Sequence, residues 1–458
     1  MKYTTAIVLA STGLASALTQ QCTGTAAEEG GNWFCGAIEQ ILYEGFSGSG
    51  SYKEVTNMGA SGECETKDTP YSGPLAPLDE DLSLHVRGPI NFKEFAVYNL
   101  ASEKKKKRDI APSPHVHARR HGHEHFHEQR KKKRAEWITA TIDGKVVSWE
   151  NNYFGPATAV APVDAVATEP AYEAPAVAAV SEPVAATTTK AAAAAKASTK
   201  SKSSSKSSSK SKTESVASGD WERTSYYNAA DGVAENIVFL GNYGGEGSGV
   251  FDTVWGNSLS YLNGNGDGGS ANATTLEDVL IPSNKEFAIF TAEQCDDSSC
   301  GYSRAKDVAY KGFAGANKVF LFHFKMPLDG DRGFNGDMPA LWALNARIPR
   351  TAQYSDCSCW TSGCGEADIY EVLASGDTKC KSTFHLKNGA GSSDYFDRPT
   401  DSYIKVATVF DEKTASVAIK QLPADFDFST GLSSETVQGW ISGFADSSTG
   451  SSLFQLST

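Results

Sequence analysis

Long hydrophobic runs are what this chain most lacks. No stretch approaches the roughly 18 consecutive apolar residues a membrane-spanning helix needs, so no transmembrane segment is expected. The last residues, Ser451-Ser452-Leu453-Phe454-Gln455-Leu456-Ser457-Thr458, carry no hydrophobic tail of the kind a glycolipid-anchor signal requires. Helical periodicity is scarce, and N-glycosylation acceptors more so. A single sequon, Asn272-Ala273-Thr274, follows the glycines of 263–269 and places the expected modification at Asn272 on an exposed loop. Positive charge is scarce outside two segments. Of a formal charge of −13, residues 103–134 contribute +8 (12 Lys/Arg against 4 Asp/Glu) and residues 156–219 +2, leaving −23 on the remainder. Acidic folded parts beside basic unstructured segments exclude the charge pattern of a nucleic-acid enzyme and suit an uncharged polysaccharide.

Residues that are present set the compartment. Lys2, the apolar run 6–10 and Ala15-Ser16-Ala17 read as a secretory signal peptide cleaved after Ala17, so the mature protein is expected to be secreted and extracellular. Nine cysteines in a secreted chain argue for disulfides. Cys22, Cys35 and Cys64 lie early; Cys295, Cys300, Cys357, Cys359, Cys364 and Cys380 lie late and can close three bridges within a C-terminal domain, which leaves one early cysteine unpaired or paired elsewhere. The spacing of Cys357, Cys359 and Cys364 also admits zinc, but an oxidising compartment favours disulfides. No cofactor and no metal site is expected.

In chain order, residues 18–155 read as a glycine-rich β domain of short strands. It is interrupted by a basic, histidine-rich insert, 103–134, too polar to bury a core. Asp143-Gly144 between two β-type runs marks a hairpin at which the domain is expected to resume. Trp33, Trp137 and Trp149 are either a sugar-stacking platform or, the commoner case, core. Lys107-Arg108 and Lys133-Arg134 resemble dibasic sites for a processing protease, with cleavage expected after Arg108 or Arg134. Residues 156–219 collapse into Ala, Pro, Ser, Thr and Lys and read as a linker, extended by O-glycosylation. From residue 220 to 458, evenly spaced β-type runs argue for an all-β, two-sheet sandwich of jelly-roll type.

Gly365-Glu366-Ala367-Asp368-Ile369-Tyr370-Glu371 carries the chemistry. On a strand Glu366 and Asp368 share a face, whereas strict alternation turns Glu371 away. A single β-bulge between Asp368 and Glu371 returns all three carboxylates to one face, and bulges recur beside active sites for this purpose. The same spacing on a helix would be a solvated charged face, but the β-branched and aromatic residues around it favour a strand.

This segment resembles the E-x-D-x-x-E signature of glycoside hydrolase family 16. Pro339-Ala340-Leu341-Trp342 resembles that family's P-A-x-W strand, residues 318–327 the strand before it, and Thr383-Phe384-His385 the strand carrying a histidine. Over residues 20–100, 135–155 and about 220–458 the chain further resembles the Tos-type family of fungal secreted cell-wall proteins. Ala367, where the family has a larger aliphatic residue, and the cysteine-rich approach 357–364 depart from the pattern. The resemblance implies a family-16-like sandwich with a cleft across its concave sheet and a substrate of cell-wall β-glucan, chiefly β-1,3-linked. It implies Glu366 as nucleophile, Glu371 as general acid and base, and Asp368 between them as the residue setting their ionisation. Trp342 and Trp360 are candidates for stacking on sugar rings, Trp342 being equally a core candidate. His385 either hydrogen-bonds near the nucleophile or a sugar hydroxyl, or is a structural histidine. The expected activity is an endo-β-1,3-glucanase; a glucan transglycosylase using the same site and a non-catalytic glucan-binding wall protein are the alternatives.

Overall fold

Runs that alternate apolar and polar residues become strands with one buried and one polar face. Leu82-Ser83-Leu84-His85-Val86-Arg87 shows how: Leu82, Leu84 and Val86 are fully buried in the main core, and Ser83, His85 and Arg87 face the other way. The computed structural model describes residues 23–101, 137–142, 145–150, 220–296, 299–387, 389–442, 444 and 450–456. The expected signal peptide, basic insert and linker lie outside them.

The main strands are β1 (Gln40–Glu44), β2 (Ser47–Met58), β3 (Cys64–Pro74), β4 (Leu82–Arg87), β5 (Ile90–Leu100), β6 (Trp221–Asn228), β7 (Val238–Gly241), β8 (Glu286–Phe290), β9 (Lys318–Lys325), β10 (Ala340–Asn345), β11 (Glu366–Glu371), β12 (Lys379–His385), β13 (Ile404–Asp411), β14 (Ser416–Leu422) and β15 (Ser451–Gln455). One sheet runs β6-β5-β9-β13-β14-β1-β15 and the other β7-β8-β4-β10-β11-β12, with short strands added at their edges. All these neighbours are antiparallel except β1 and β15. Phe95, Phe320 and Phe322 of the first sheet share a core with Leu84, Val86, Leu341 and Tyr370 of the second. Each such side chain stabilises the fold by roughly 1.5–3 kcal/mol. The expected all-β sandwich is therefore what forms. Helix α1 (Ser434–Ile441) covers the outside of the first sheet. The Ser433 hydroxyl caps it by accepting from the Thr436 N–H at 3.0 Å, and Val437, Trp440 and Ile441 bury one face.

The structure joins what the sequence separates. Strands from residues 40–100 do not stand apart as a smaller domain. Instead β4 lies between β8 and β10 in one sheet, β5 between β6 and β9 in the other, and β1 between β14 and β15. Each of these strands is paired on both edges by strands from beyond residue 220, so the described residues of 23–101 and 220–456 form one unit. The hairpin Trp137–Ile142 and Lys145–Glu150 pairs as the Asp143-Gly144 dipeptide predicts. It belongs to a second unit, 114–212, rather than to a resumption of the first segment.

Disulfides follow the same interleaving. Cys64 at the tip of the β2–β3 ribbon bonds Cys357, and Cys359 bonds Cys364, as Cys295 does Cys300. The late cysteines thus close two bridges among themselves, not three, because Cys357 is taken by an early partner and Cys380 stays a buried thiol. Cys357, Cys359 and Cys364 are all oxidised, which removes the zinc alternative. Among the described residues no helix is long and apolar enough to cross a membrane.

Candidate active site

Gly365 precedes β11 with a φ of +114°, a backbone conformation that side chains strain, and a Cβ there would come within 2.9 Å of the Leu78 Cδ2 methyl. Leu341 pairs with Tyr370 and the next residue, Trp342, with Asp368, while on the other side Asp368 pairs with Thr383 and Glu371 with Lys381. Ile369 is the extra residue of a bulge at the predicted place. Ala367, Ile369 and Tyr370 consequently all enter the inter-sheet core, and Glu366, Asp368 and Glu371 emerge together on the opposite face. The polar residues of β4 share that face. Across the sheet Glu286 pairs with Arg87, Arg87 with Ala340, Ala340 with Glu371 and Glu371 with Lys381, a row at right angles to the strands that is polar except at Ala340, across which Arg87 reaches Glu371.

Each carboxylate has a distinct set of partners. Glu366, 6% exposed, accepts from the Tyr354 hydroxyl at 2.9 Å and from the Trp360 indole N–H. Asp368 Oδ2 lies 2.9 Å from His385 Nε2. Glu371 lies 3.4 Å from Arg87 Nη2, and the Arg87 Nε donates to the Met338 carbonyl at 2.8 Å.

Three acids on one face disturb one another's ionisation. Burial raises the pKa of Glu366, and the charge of Asp368 adds to the shift against the opposing effect of His385 and the two ring donors. Burial and then the charge of Glu371 raise Asp368, opposed by His385 and Arg87. Burial also raises Glu371, with Arg87 opposing and Glu366 reinforcing. In His385 burial favours the neutral ring, but the bond to Asp368 and the charges of Asp368, Glu366 and Glu371 outweigh it and push the pKa up to about 9. At neutral pH a histidinium therefore faces Asp368, and the cluster retains at least one carboxyl proton under mildly acidic conditions. One acid is left to give a proton and another to attack, which is the division of labour that acid–base and nucleophilic catalysis require.

All the sequence-predicted residues of this cluster meet, though two in roles other than platforms. Trp342 is 3% exposed, with His85 stacked on it at 5.3 Å and its indole N–H donating to the Tyr354 hydroxyl at 2.9 Å, so burial supports its core reading. Trp360 is partly buried and committed to Glu366. His385 touches Asp368, the acid between the other two. Trp33, for which core was the commoner expectation, is instead 58% exposed; its carbonyl accepts from Lys381 Nζ at 3.0 Å, beside Glu371. The side chains of Trp137 and Trp149 lie outside the described set. Asn272 is exposed, as its sequon requires. Sequence reading missed Arg87, His85, Glu286 and Tyr354. The polar members of β4 were visible in its period-two alternation; Tyr354 sits in an irregular loop and gave no signal. Among the described residues no group of three or more His, Cys, Asp or Glu is arranged to hold a metal ion.

Comparison with known proteins decides the family. The cell wall protein YJL171C/Tos1 family matches with its C-terminal domain over residues 219–440 and its N-terminal domain over residues 39–100. The chain belongs to this cell wall protein family. A relative in Arthroderma benhamiae, a "Probable circularly permuted 1,3-beta-glucanase", is 40% identical over 90% of each chain. TOS1 proteins bearing the same description in Candida albicans and Saccharomyces cerevisiae are 38% and 39% identical, covering 96% and 94% of this chain and 98% and 96% of theirs. No solved structure matches the chain.

Proposed function

We propose that this protein is a secreted cell-wall endo-β-1,3-glucanase that cleaves glucan with retention of configuration. The observation that carries the reading is the Ile369 bulge, which sets Glu366, Asp368 and Glu371 on one buried face. Glu366 attacks the anomeric carbon as Glu371 protonates the departing glycosidic oxygen, giving a glycosyl ester on Glu366. Glu371, now ionised, then takes a proton from water as that water displaces Glu366. Tyr354 and Trp360 hold the attacking carboxylate and stabilise its charge. The charge of Glu366 favours the acid form of Glu371, while Asp368, paired with His385, lies between the two. The naming of close relatives as probable 1,3-beta-glucanases supports the substrate class. Incubating the full chain with soluble β-1,3-glucan oligomers, beside Glu366→Gln, tests this. Shorter products that vanish in the variant support hydrolysis, and longer ones indicate transfer of the glycosyl group to a sugar. Unchanged oligomers with the wild type would overturn the catalytic reading and leave a glucan-binding wall protein.

A further inference from the structure

The polar row that crosses the sheet through Glu371 does not stop at Glu286. Glu286 Oε1 accepts from the Gln353 amide at 3.0 Å, and the Gln353 carbonyl accepts from the Asn242 amide at 2.8 Å. Beyond them opens a cavity of about 460 Å³, walled by Asn242, Trp255, Asn257, Gln353, Ser355 and Asp356 among others. Its size falls within the range of sites that hold small organic ligands. Its chemistry is unlike an apolar drug-type pocket. Gln353 is committed at both ends of its amide, whereas Asn242 and Asn257, whose Nδ2 groups donate to Gln353 and to the Gly244 carbonyl, offer side-chain oxygens as acceptors; Asp356 adds a carboxylate, and Trp255 an indole whose N–H is already used by the Gly59 carbonyl at 2.8 Å, so that the ring is fixed in place. Among the described residues no cation lines it, which disfavours phosphate or other anionic ligands. Amides and an aromatic wall without a cation are what hydroxyl-rich, uncharged rings need.

Position links this cavity to the chemistry. Gln353 is the neighbour of Tyr354, which donates to Glu366, and it holds Glu286, which pairs in register with Arg87, the partner of Glu371. At about 4.8 Å per strand, the three strand steps from β11 to β8 put the Glu286 backbone roughly 14 Å from that of Glu371. Gln353 also has a φ of +33°, an unfavourable conformation for a residue with a Cβ, held where its amide is clamped between Asn242 and Glu286. We propose that the cavity is a distal subsite that binds hexose units of the glucan chain remote from the bond being cleaved, and that it makes turnover depend on chain length. The proposal rests on the glucan reading above.

The test uses the full chain and β-1,3-glucan oligomers of graded length, with Asn242→Ala to remove contacts and Ser355→Trp to fill the cavity. On the longest oligomers kcat/KM falls about tenfold in both variants, the loss expected for one or two hydrogen bonds. On the shortest cleavable oligomer it matches the wild type. A length dependence equal to that of the wild type in either folded variant overturns the subsite. If the wild type turns over no oligomer, the glucanase reading fails and calorimetric titration of the longest oligomer judges the subsite by itself. Binding that is lost in Ser355→Trp upholds it; binding unchanged by Ser355→Trp, or none to the wild type, overturns it.

Discussion

Tyr354 serves two partners with one hydroxyl, accepting from the buried Trp342 indole at 2.9 Å and donating to Glu366 at 2.9 Å. Tyr354→Phe keeps the ring and removes both bonds. A hydrogen bond to a charged group contributes about 1.5–3 kcal/mol, so kcat falls roughly tenfold or more, and Trp342, left with an unsatisfied buried donor, lowers stability by about 1–3 kcal/mol. Steady-state kinetics and denaturant unfolding read the two effects. His385 acts through charge. Its cation depresses the carboxyl pKa values of Glu366, Asp368 and Glu371 against their burial. Removing it in His385→Gln raises those pKa values, so the nucleophile needs a higher pH to ionise. The acidic limb of kcat/KM moves up by about one unit, and an unmoved limb would contradict the assigned role. At this scale the three carboxylates and the bulge were legible in Glu366 to Glu371, because local alternation decides which side chains share a face. Tyr354 was not, since its placement depends on a loop with no periodicity of its own.

Elements deliver those residues. Between β10 and β11 the chain leaves the sheet, and the loop carrying Tyr354 and Trp360 is fastened by Cys359–Cys364 within itself and by Cys64–Cys357 to the β2–β3 ribbon. Tyr52 of that ribbon packs with Trp342, Leu344 and the Cys359–Cys364 bridge, under the loop. The paired substitution Cys64→Ser with Cys357→Ser is expected to cost about 2–4 kcal/mol of stability, measured by denaturant unfolding, and to lower kcat by loosening both donors on Glu366. Full activity in the unbridged protein would show that the ribbon does not position the loop. Sequence reading recognised the strands well, since β-type runs flanked by turn residues are local signals. Helix α1 escaped it, although Val437, Trp440 and Ile441 sit at helical spacing after the Ser433 cap. Disulfide partners escaped it because pairing is set by three-dimensional neighbours.

For the whole molecule, the least legible feature was that residues 40–100 build the interior of both sheets. Composition marks a boundary at the linker, and only strand pairing reveals that the two sides share one core. Without β4 and β5 the sheets lose central strands, so residues 220–458 expressed alone are expected to yield no cooperatively folded protein. By the same reasoning, cleavage after Arg108 or Arg134 does not release an independent domain. A chain nicked there runs as one species on a non-reducing gel and as two after reduction, because Cys64–Cys357 spans the cut. Separation without reductant would refute this arrangement. The most direct measurement of the central claim is to trap the reaction on the full chain with a β-1,3-linked oligosaccharide fluorinated at C2 and carrying a good leaving group, followed by peptide mapping by mass spectrometry. A glycosyl adduct on the peptide containing Glu366, absent from Glu366→Gln, is the predicted result. An adduct on another residue, or none under conditions in which the unmodified oligomer is cleaved, would contradict it.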